Sequence, residues 1–149
     1  MITISVEDPK NKDATGLLNE LSSELETITG SSGRSSFNID DVIIPKSLFV
    51  IARDSKGKAV GCGSFRPINE NIAEVKRMYA KQKGKGIGKD ILLFLEEQAK
   101  KLGYKKLWLE TRLINERAVS FYKYNGYMRI QNYGRYVDKP EAICFEKIL

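Results

Sequence analysis

The chain has 149 residues, of which 42% are hydrophobic and 30% charged, and its formal net charge is +6. This length suits one domain over residues 1–149, and the composition excludes an intrinsically disordered chain. The absence of histidine excludes histidine metal sites, serine–histidine triads and imidazole proton shuttles. Neither a secretory signal nor an apolar segment of membrane-spanning length is evident, so we expect a cytoplasmic protein outside the membrane.

The first third of the chain contains one strand pattern and one helix pattern. Residues Ile2–Val6 alternate between apolar and polar, which predicts a strand. Leucine then recurs at helical spacing, which predicts an amphipathic helix over Ala14–Ile28. The glycine- and serine-rich segment Gly30–Ser36 is expected to be a mobile loop beside the substrate, and Ile39–Ile44 to form one helical turn.

The middle of the chain predicts an antiparallel meander followed by a helix. Ser47–Arg53 and Lys58–Phe65 are strand-like runs joined by the hairpin signal D-S-K-G. Ile72–Ala80 is expected to be the third strand of the meander. Gly88–Leu102 carries its apolar residues on one face, which predicts a second amphipathic helix.

The last third predicts a strand, a helix and two closing strands. We expect a strand at Lys106–Glu110 and a helix that is capped by Asn115 and continues through Tyr124. Tyr127–Gln131 and Ala142–Lys147 are the two closing strands. The order β-α-α-β-β-β-α-β-α-β-β predicts an α/β fold, of the α+β type with a mixed sheet.

The glycine- and lysine-rich segment K-G-K-G-I-G-K at residues 83–89 says most about chemistry. Six basic residues and no acidic one occur between Lys76 and Lys89. Alternating glycines let the main chain approach a ligand, and the helix that follows adds the positive end of its dipole. This combination predicts a site for a phosphorylated cofactor. The spacing fits neither the P-loop G-x-x-x-x-G-K-[ST] nor the dinucleotide fingerprint G-x-G-x-x-G.

A basic residue followed three and five positions later by glycine resembles the [QR]-x-x-G-x-[GA] loop of the GNAT superfamily, the acetyl-CoA-dependent N-acetyltransferases. Lys83 stands where that pattern has Gln or Arg. The run N-E-R-A-V-S-F-Y at 115–122 resembles a second signature of this superfamily, N-x-x-A-x-x-[FL]-Y. The predicted element order also resembles the GNAT fold, and the resemblance is strongest from Ala73 to Ile130.

The resemblance implies acetyl-CoA as co-substrate, a ternary complex, and direct attack of an amine on the thioester. It implies that Met78 N–H stabilises the oxyanion and that Tyr122 protonates the departing thiolate. Glu74, on the strand that leads into the glycine loop, is the candidate general base. The cofactor-binding residues implied are Met78, Tyr79, Ala80, Lys83, Gly84, Lys85, Gly86, Ile87, Gly88, Lys89, Asn115, Ala118 and Tyr122.

The acceptor is predicted to be a primary amine of a small molecule or a peptide. Several arginines fall in or beside predicted loops, which favours an acceptor that bears a carboxylate. Arg77 is the first candidate because it neighbours Glu74 and the cofactor strand. The other candidates for the acceptor site are Arg34, Phe37, Arg112, Arg66, Arg135 and Tyr136.

Two other interpretations stay open from the sequence alone. One is a GNAT-like acyl-CoA sensor without turnover. The other is a basic nucleic-acid-binding module, but its lysines alternate with glycines rather than with stacking aromatics, so no nucleic-acid partner is expected. Cys62 and Cys144 lie in apolar strand-like runs and are expected to be small buried hydrophobes. No metal site is predicted, and a homodimer through exposed strands stays open.

Overall fold

The structure, a computed structural model, describes residues 1–149 and contains seven strands and three α-helices. In chain order the elements are β1 (Thr3–Val6), α1 (Lys12–Thr29), β2 (Leu48–Arg53), β3 (Ala59–Pro67), β4 (Ile72–Ala80), α2 (Ile87–Lys101), β5 (Lys106–Arg112), α3 (Glu116–Tyr124), β6 (Met128–Ile130) and β7 (Ala142–Ile148). Short 3-10 helices occur at Arg34–Ser36, Ile39–Val42 and Gly134–Tyr136. The predicted fold class and element order are confirmed, with the predicted helical turn at 39–44 realised as a 3-10 helix.

All seven strands belong to one mixed sheet in the order β1-β2-β3-β4-β5-β7-β6. Strands β1 to β4 form the predicted antiparallel meander. The only parallel neighbours are β4 and β5, and α2 is the crossover helix that a parallel connection requires. None of the helices is both long and apolar enough to serve as a membrane span.

The core has two parts because strand residues alternate between the two faces of the sheet. Val50 and Phe65 point to one face, where Ile91 and Leu95 of α2 cover them in a cluster of 19 buried residues. The opposite face is packed by α1 in a smaller cluster around Phe49. Both cysteines are fully buried free thiols, one on each of β3 and β7, as predicted.

Two irregularities of β4 separate its C-terminal half from β5. First, β4 pairs with β5 only from Ile72 to Glu74, so the two strands separate beyond that point. Second, the register between β3 and β4 shifts by one residue, and Arg77 at this bulge has a φ of 56°. A bulge adds one unpaired residue and bends its strand. The C-terminal half of β4 is thereby turned away from β5.

The close contact between α2 and the sheet can be tested at Gly61. A Cβ there would lie 2.7 Å from the Tyr79 carbonyl oxygen and 2.9 Å from Cδ1 of Ile91. We expect Gly61→Ala to lower the free energy of unfolding by about 1–3 kcal/mol, measured by urea denaturation, because main chain or helix must shift.

Gly16→Ala in α1 is the matched control. A Cβ at this exposed position meets nothing within 4 Å, and alanine is the better helix former, so stability should rise by up to about 1 kcal/mol. A Gly61→Ala protein as stable as the wild type would contradict the packing of α2 on β3.

Candidate active site

A cavity of about 680 Å³ opens where β4 and β5 separate. Its walls come from α1, the loop after it, the C-terminal half of β4, the N-terminus of α2, the end of β5, and α3. Most of the predicted cofactor-binding residues share this lining: Met78, Tyr79, Ala80, Lys83, Gly84, Gly86, Ile87, Gly88, Lys89, Asn115, Ala118 and Tyr122. Lys85 is the one member of that predicted set outside the lining, and it is exposed on the glycine turn.

The turn between β4 and α2 presents main-chain N–H groups that lack main-chain acceptors. None of the amides from Gln82 to Lys89 donates to another main-chain group, whereas Asp90 N–H donates to Gly86 O in the first helical hydrogen bond. Gly84 and Gly86 have φ values of 75° and 78°, a left-handed conformation that favours glycine. No side chain caps α2, so its N-terminus is free to bind an anion.

The Lys83 side chain makes hydrogen bonds within the protein. Its Nζ donates to Ala80 O at 2.7 Å and to Glu24 Oε2 at 3.2 Å, and lies 4.8 Å from the centre of the Tyr79 ring. The side chain therefore joins the turn to α1. The exposed Lys85 and Lys89 supply the charge that no carboxylate neutralises.

Tyr122 and Asn115 lie where the α3 signature predicted them, on the cavity wall. Tyr122 is only 8% exposed and packs edge-on against Tyr127, with 5.6 Å between the ring centres. Burial raises the pKa of its phenol, so the hydroxyl is fully protonated near neutral pH. Asn115 Oδ1 accepts a hydrogen bond from Ala118 N–H at 3.2 Å, which makes it the N-cap of α3 as well as a lining residue.

The structure does not bring Glu74 to the cavity. Its side chain is 4% exposed, and its two carboxylate oxygens accept hydrogen bonds from Arg66 Nε at 2.9 Å and from the Tyr133 hydroxyl at 2.5 Å. Glu74 is the last residue of β4 that still pairs with β5, opposite Trp108, so it lies before the strands separate. Its predicted role as the general base does not fit this placement.

A different carboxylate, Glu110 of β5, occupies the place that was predicted for Glu74. It lines the cavity, its side chain is 10% exposed, and its Oε2 is buried without a hydrogen-bond partner. Burial raises the pKa of Glu110, against the opposing effect of Arg112 and Lys76. Sequence reasoning missed it, although β5 alternates Leu107 and Leu109 toward the core with Glu110 toward the other face.

Arg77 joins the bulge to the α1 side of the molecule rather than reaching freely into the cavity. Its guanidinium donates to Leu18 O at 3.3 Å, to Ser22 Oγ, and to Ser32 O at 3.1 Å. It also stacks over Phe37 at 5.6 Å from the ring centre. These bonds give Arg77 a structural role, and because it also lines the cavity, its contact with the acceptor stays a prediction.

The other acceptor candidates are also placed by the structure. Arg34 is exposed and donates to Asn19 Oδ1 at 3.4 Å, outside the cavity lining, and Phe37 packs beneath Arg77 instead of lining the cavity. Arg66 is bonded to Glu74 and Asp41. Arg112 alone, of the arginines predicted beyond Arg77, lines the cavity.

Comparison with known proteins places these observations in context. The model of the acetyltransferase (GNAT) family matches residues 15–127. The chain is 28% identical to the IAA acetyltransferase of Azospirillum brasilense, over 99% of this chain and 98% of that protein.

Two solved structures show the same fold along the whole chain. A protein of Klebsiella pneumoniae assigned as an acyl-CoA N-acyltransferase has a TM-score of 0.84 and 27% identity, covering 100% of this chain and 98% of that one. The PaiA N-acetyltransferase of Thermoplasma acidophilum, solved in complex with coenzyme A, has a TM-score of 0.73 and 22% identity, with 100% and 99% covered. The second likeness concerns the fold alone.

The structural role of Arg77 gives a stability prediction. Arg77→Met keeps an unbranched apolar stem but removes the donors to Leu18 O, Ser32 O and the hydroxyl of the buried Ser22. We expect the free energy of unfolding to fall by about 2 kcal/mol or more in a urea titration. Arg34→Gln, which alters an exposed arginine in the 3-10 helix Arg34–Ser36, should change stability by no more than about 0.5 kcal/mol. Equal losses in both variants would contradict the role of Arg77.

Proposed function

This chain belongs to the acetyltransferase (GNAT) family, and from that premise we propose that it transfers an acetyl group from acetyl-CoA to a primary amine. One observation carries the proposal. A single cavity connects the unpaired amides of residues 82–89 with the carboxylate of Glu110 and the phenol of Tyr122. The amides can therefore bind the anionic end of the cofactor, while Glu110 and Tyr122 can transfer protons where the acceptor amine meets the thioester.

The glycine turn is the proposed site for the diphosphate of the cofactor. Its main-chain N–H groups and the positive end of the α2 dipole favour a group with two negative charges. The pantetheine arm would then run between the separated strands, along Met78, Tyr79 and Ala80 on one side and Asn115 on the other. This path leads the thioester towards Tyr122.

The proposed chemistry needs one base, one oxyanion donor and one acid. Glu110 takes a proton from the acceptor ammonium, the neutral amine attacks the thioester carbon, and the negative charge passes to the carbonyl oxygen. The bulge leaves an unpaired residue on β4, and the N–H of Met78 is proposed to stabilise that oxygen. When the carbon–sulfur bond breaks, Tyr122 gives its proton to the thiolate. The newly acylated nitrogen then loses its second proton, which restores the Tyr122 phenol by way of solvent.

The protonation states are consistent with these roles. A carboxylate with a raised pKa accepts a proton from an ammonium more readily than an ordinary one does. Burial raises the pKa of Tyr122, so the phenol keeps its proton until a thiolate forms beside it, and transfer to a thiolate of ordinary pKa, about 8.5, is uphill. Neither cysteine lines the cavity, which supports direct attack rather than an acetylated enzyme.

A thiol-release assay with acetyl-CoA tests the proposal. The panel includes amino acids, polyamines, aminoglycosides and peptides, and transfer should release CoA together with an N-acetylated product. A protein that binds CoA but releases no thiol with any amine would be an acyl-CoA sensor, and that outcome would contradict the proposed function.

The role of Glu110 predicts both a rate and a pH profile. We expect Glu110→Gln to lower kcat by about 10²–10⁴-fold without loss of CoA affinity, because only proton transfer is removed. In the wild type, kcat/KM should fall as the pH drops through the pKa of Glu110, which burial holds above its ordinary value of 4.5. The variant should lack this acid limb.

Glu97→Gln is the control for a carboxylate-to-amide change, since Glu97 is 65% exposed on α2 and takes no part in the proposed proton transfers. Glu74→Gln tests the earlier prediction directly. If Glu74→Gln removed the acid limb while Glu110→Gln kept it, the assignment of the base would be wrong.

A further inference from the structure

We propose that the acceptor is a free α-amino acid, whose carboxylate is held by Arg112 and Lys76 while its amine meets Glu110. This inference rests on the proposed acetyl transfer and names the substrate class for the same cavity. It differs from the original expectation, which placed Arg77 first among the acceptor contacts.

The charged residues that line this part of the cavity have a net positive charge. Lys76, Glu110 and Arg112 lie on the sheet face opposite α2, because they alternate with the core residues Val75 and Leu109. Two cations and one carboxylate therefore line the cavity here, while Glu74 and Glu141, outside the lining, each approach one of the cations to 3.8 Å. A ligand with only positive charges would increase the repulsion, whereas a ligand with one carboxylate and one ammonium group complements all three side chains.

Lys76 is a buried cation that the cavity does not neutralise completely. Its side chain is 9% exposed, its Nζ donates to the Tyr136 hydroxyl at 2.9 Å, and its distance from Glu74 Oε2 is 3.8 Å. Glu74 is itself already bonded to Arg66 and Tyr133. Buried charges are stable only when paired, so a further anion beside Lys76 is favoured.

Three buried side-chain atoms that line the cavity lack a hydrogen bond, Nε of Arg77 and one atom each of Arg112 and Glu110, and the last two form a complementary pattern for a ligand. Nη1 of Arg112 and Oε2 of Glu110 are both buried and both lack a hydrogen-bond partner, although Nη1 lies 3.8 Å from Glu141 Oε1 and Oε2 lies 3.5 Å from Arg112 Nε. A buried polar atom without a hydrogen bond costs about 1–3 kcal/mol, so a neighbouring donor and acceptor that both lack one favour a ligand that supplies the missing partners. A carboxylate is the natural acceptor for Nη1, and an ammonium N–H is the natural donor for Oε2.

The short distance between these groups limits the ligand to one that bears its amine and its carboxylate close together. Arg112 Nε lies 3.5 Å from Glu110 Oε2, so the two side chains are direct neighbours. An α-amino acid separates its two charges by a single carbon atom. A peptide amino terminus has an amide where the carboxylate should be, and a polyamine has a second cation, so either would leave Nη1 of Arg112 unpaired.

Two segments that are distant in sequence meet beside this face of the cavity. Tyr136, which bonds Lys76, belongs to the 3-10 helix at Gly134–Tyr136. Arg135 Nη1 of the same helix donates to Ser35 O at 2.7 Å, and the adjacent Ser36 lines the cavity. The segment before β7 and the loop after α1 are thereby joined near the acceptor groups.

The decisive experiment compares each free α-amino acid with its own C-terminal amide in the acetyl-CoA thiol-release assay, with putrescine as a diamine that has no carboxylate. We expect the preferred amino acid to exceed its amide in kcat/KM by about 10- to 100-fold, mainly through KM, since charge-assisted hydrogen bonds are lost. The amide has the less basic amine and would react faster if nothing held the carboxylate.

Variants assign the preference to Arg112. Arg112→Gln should reduce the ratio of kcat/KM between acid and amide to near one, and Arg112→Lys should restore part of it. Arg129→Gln, an exposed arginine on the edge strand β6, is the control and should keep the wild-type ratio. The wild-type ratio itself needs no variant, so it tests the inference even if Arg112→Gln folds poorly.

The outcomes separate this inference from the proposed function. Amides or putrescine that react as well as free amino acids would overturn the inference while acetyl transfer stands. An unchanged ratio in a folded Arg112→Gln protein would overturn the role of Arg112. Failure of every amine to release thiol would overturn the proposed function and this inference with it.

Discussion

The proposed cofactor site depends on main-chain N–H groups that the fold leaves without acceptors. From Gln82 to Lys89 the chain turns from a strand into a helix with no main-chain acceptor for its amides, and left-handed glycines at 84 and 86 make that turn. Unpaired amides at a helix N-terminus are satisfied by water or by an anion. The position of the turn, next to the opening between β4 and β5, then fixes the direction in which a bound cofactor extends.

The opening itself depends on β4. Its pairing with β5 ends at Glu74, and the bulge at Arg77 and Met78 bends the rest of the strand towards α1. The Arg77 side chain holds this geometry through hydrogen bonds to α1 and to the loop after it. One arginine thus links the proposed oxyanion donor to the segment that lines the acceptor end. Catalytic geometry and fold stability are therefore coupled in this part of the molecule.

The sequence was sufficient for the features that local patterns determine. Periodicity, glycines and caps predicted the element order and the glycine turn before α2, because each depends on residues a few positions apart. The choice between Glu74 and Glu110 could not be made in this way. Both carboxylates lie on the same face, and which one meets the cavity depends on where β4 leaves β5 and on Tyr133, which is distant in sequence. A two-residue alternation of apolar and polar residues likewise cannot predict the bulge at Arg77.

The most direct test of the account is a calorimetric comparison of CoA with pantetheine, which has the same thiol arm but no diphosphate. If the amides of residues 82–89 hold the diphosphate, CoA should bind at least about 100-fold more tightly, and its affinity should fall with added salt. Equal affinities for CoA and pantetheine would contradict the account, because the turn would then contribute nothing to binding.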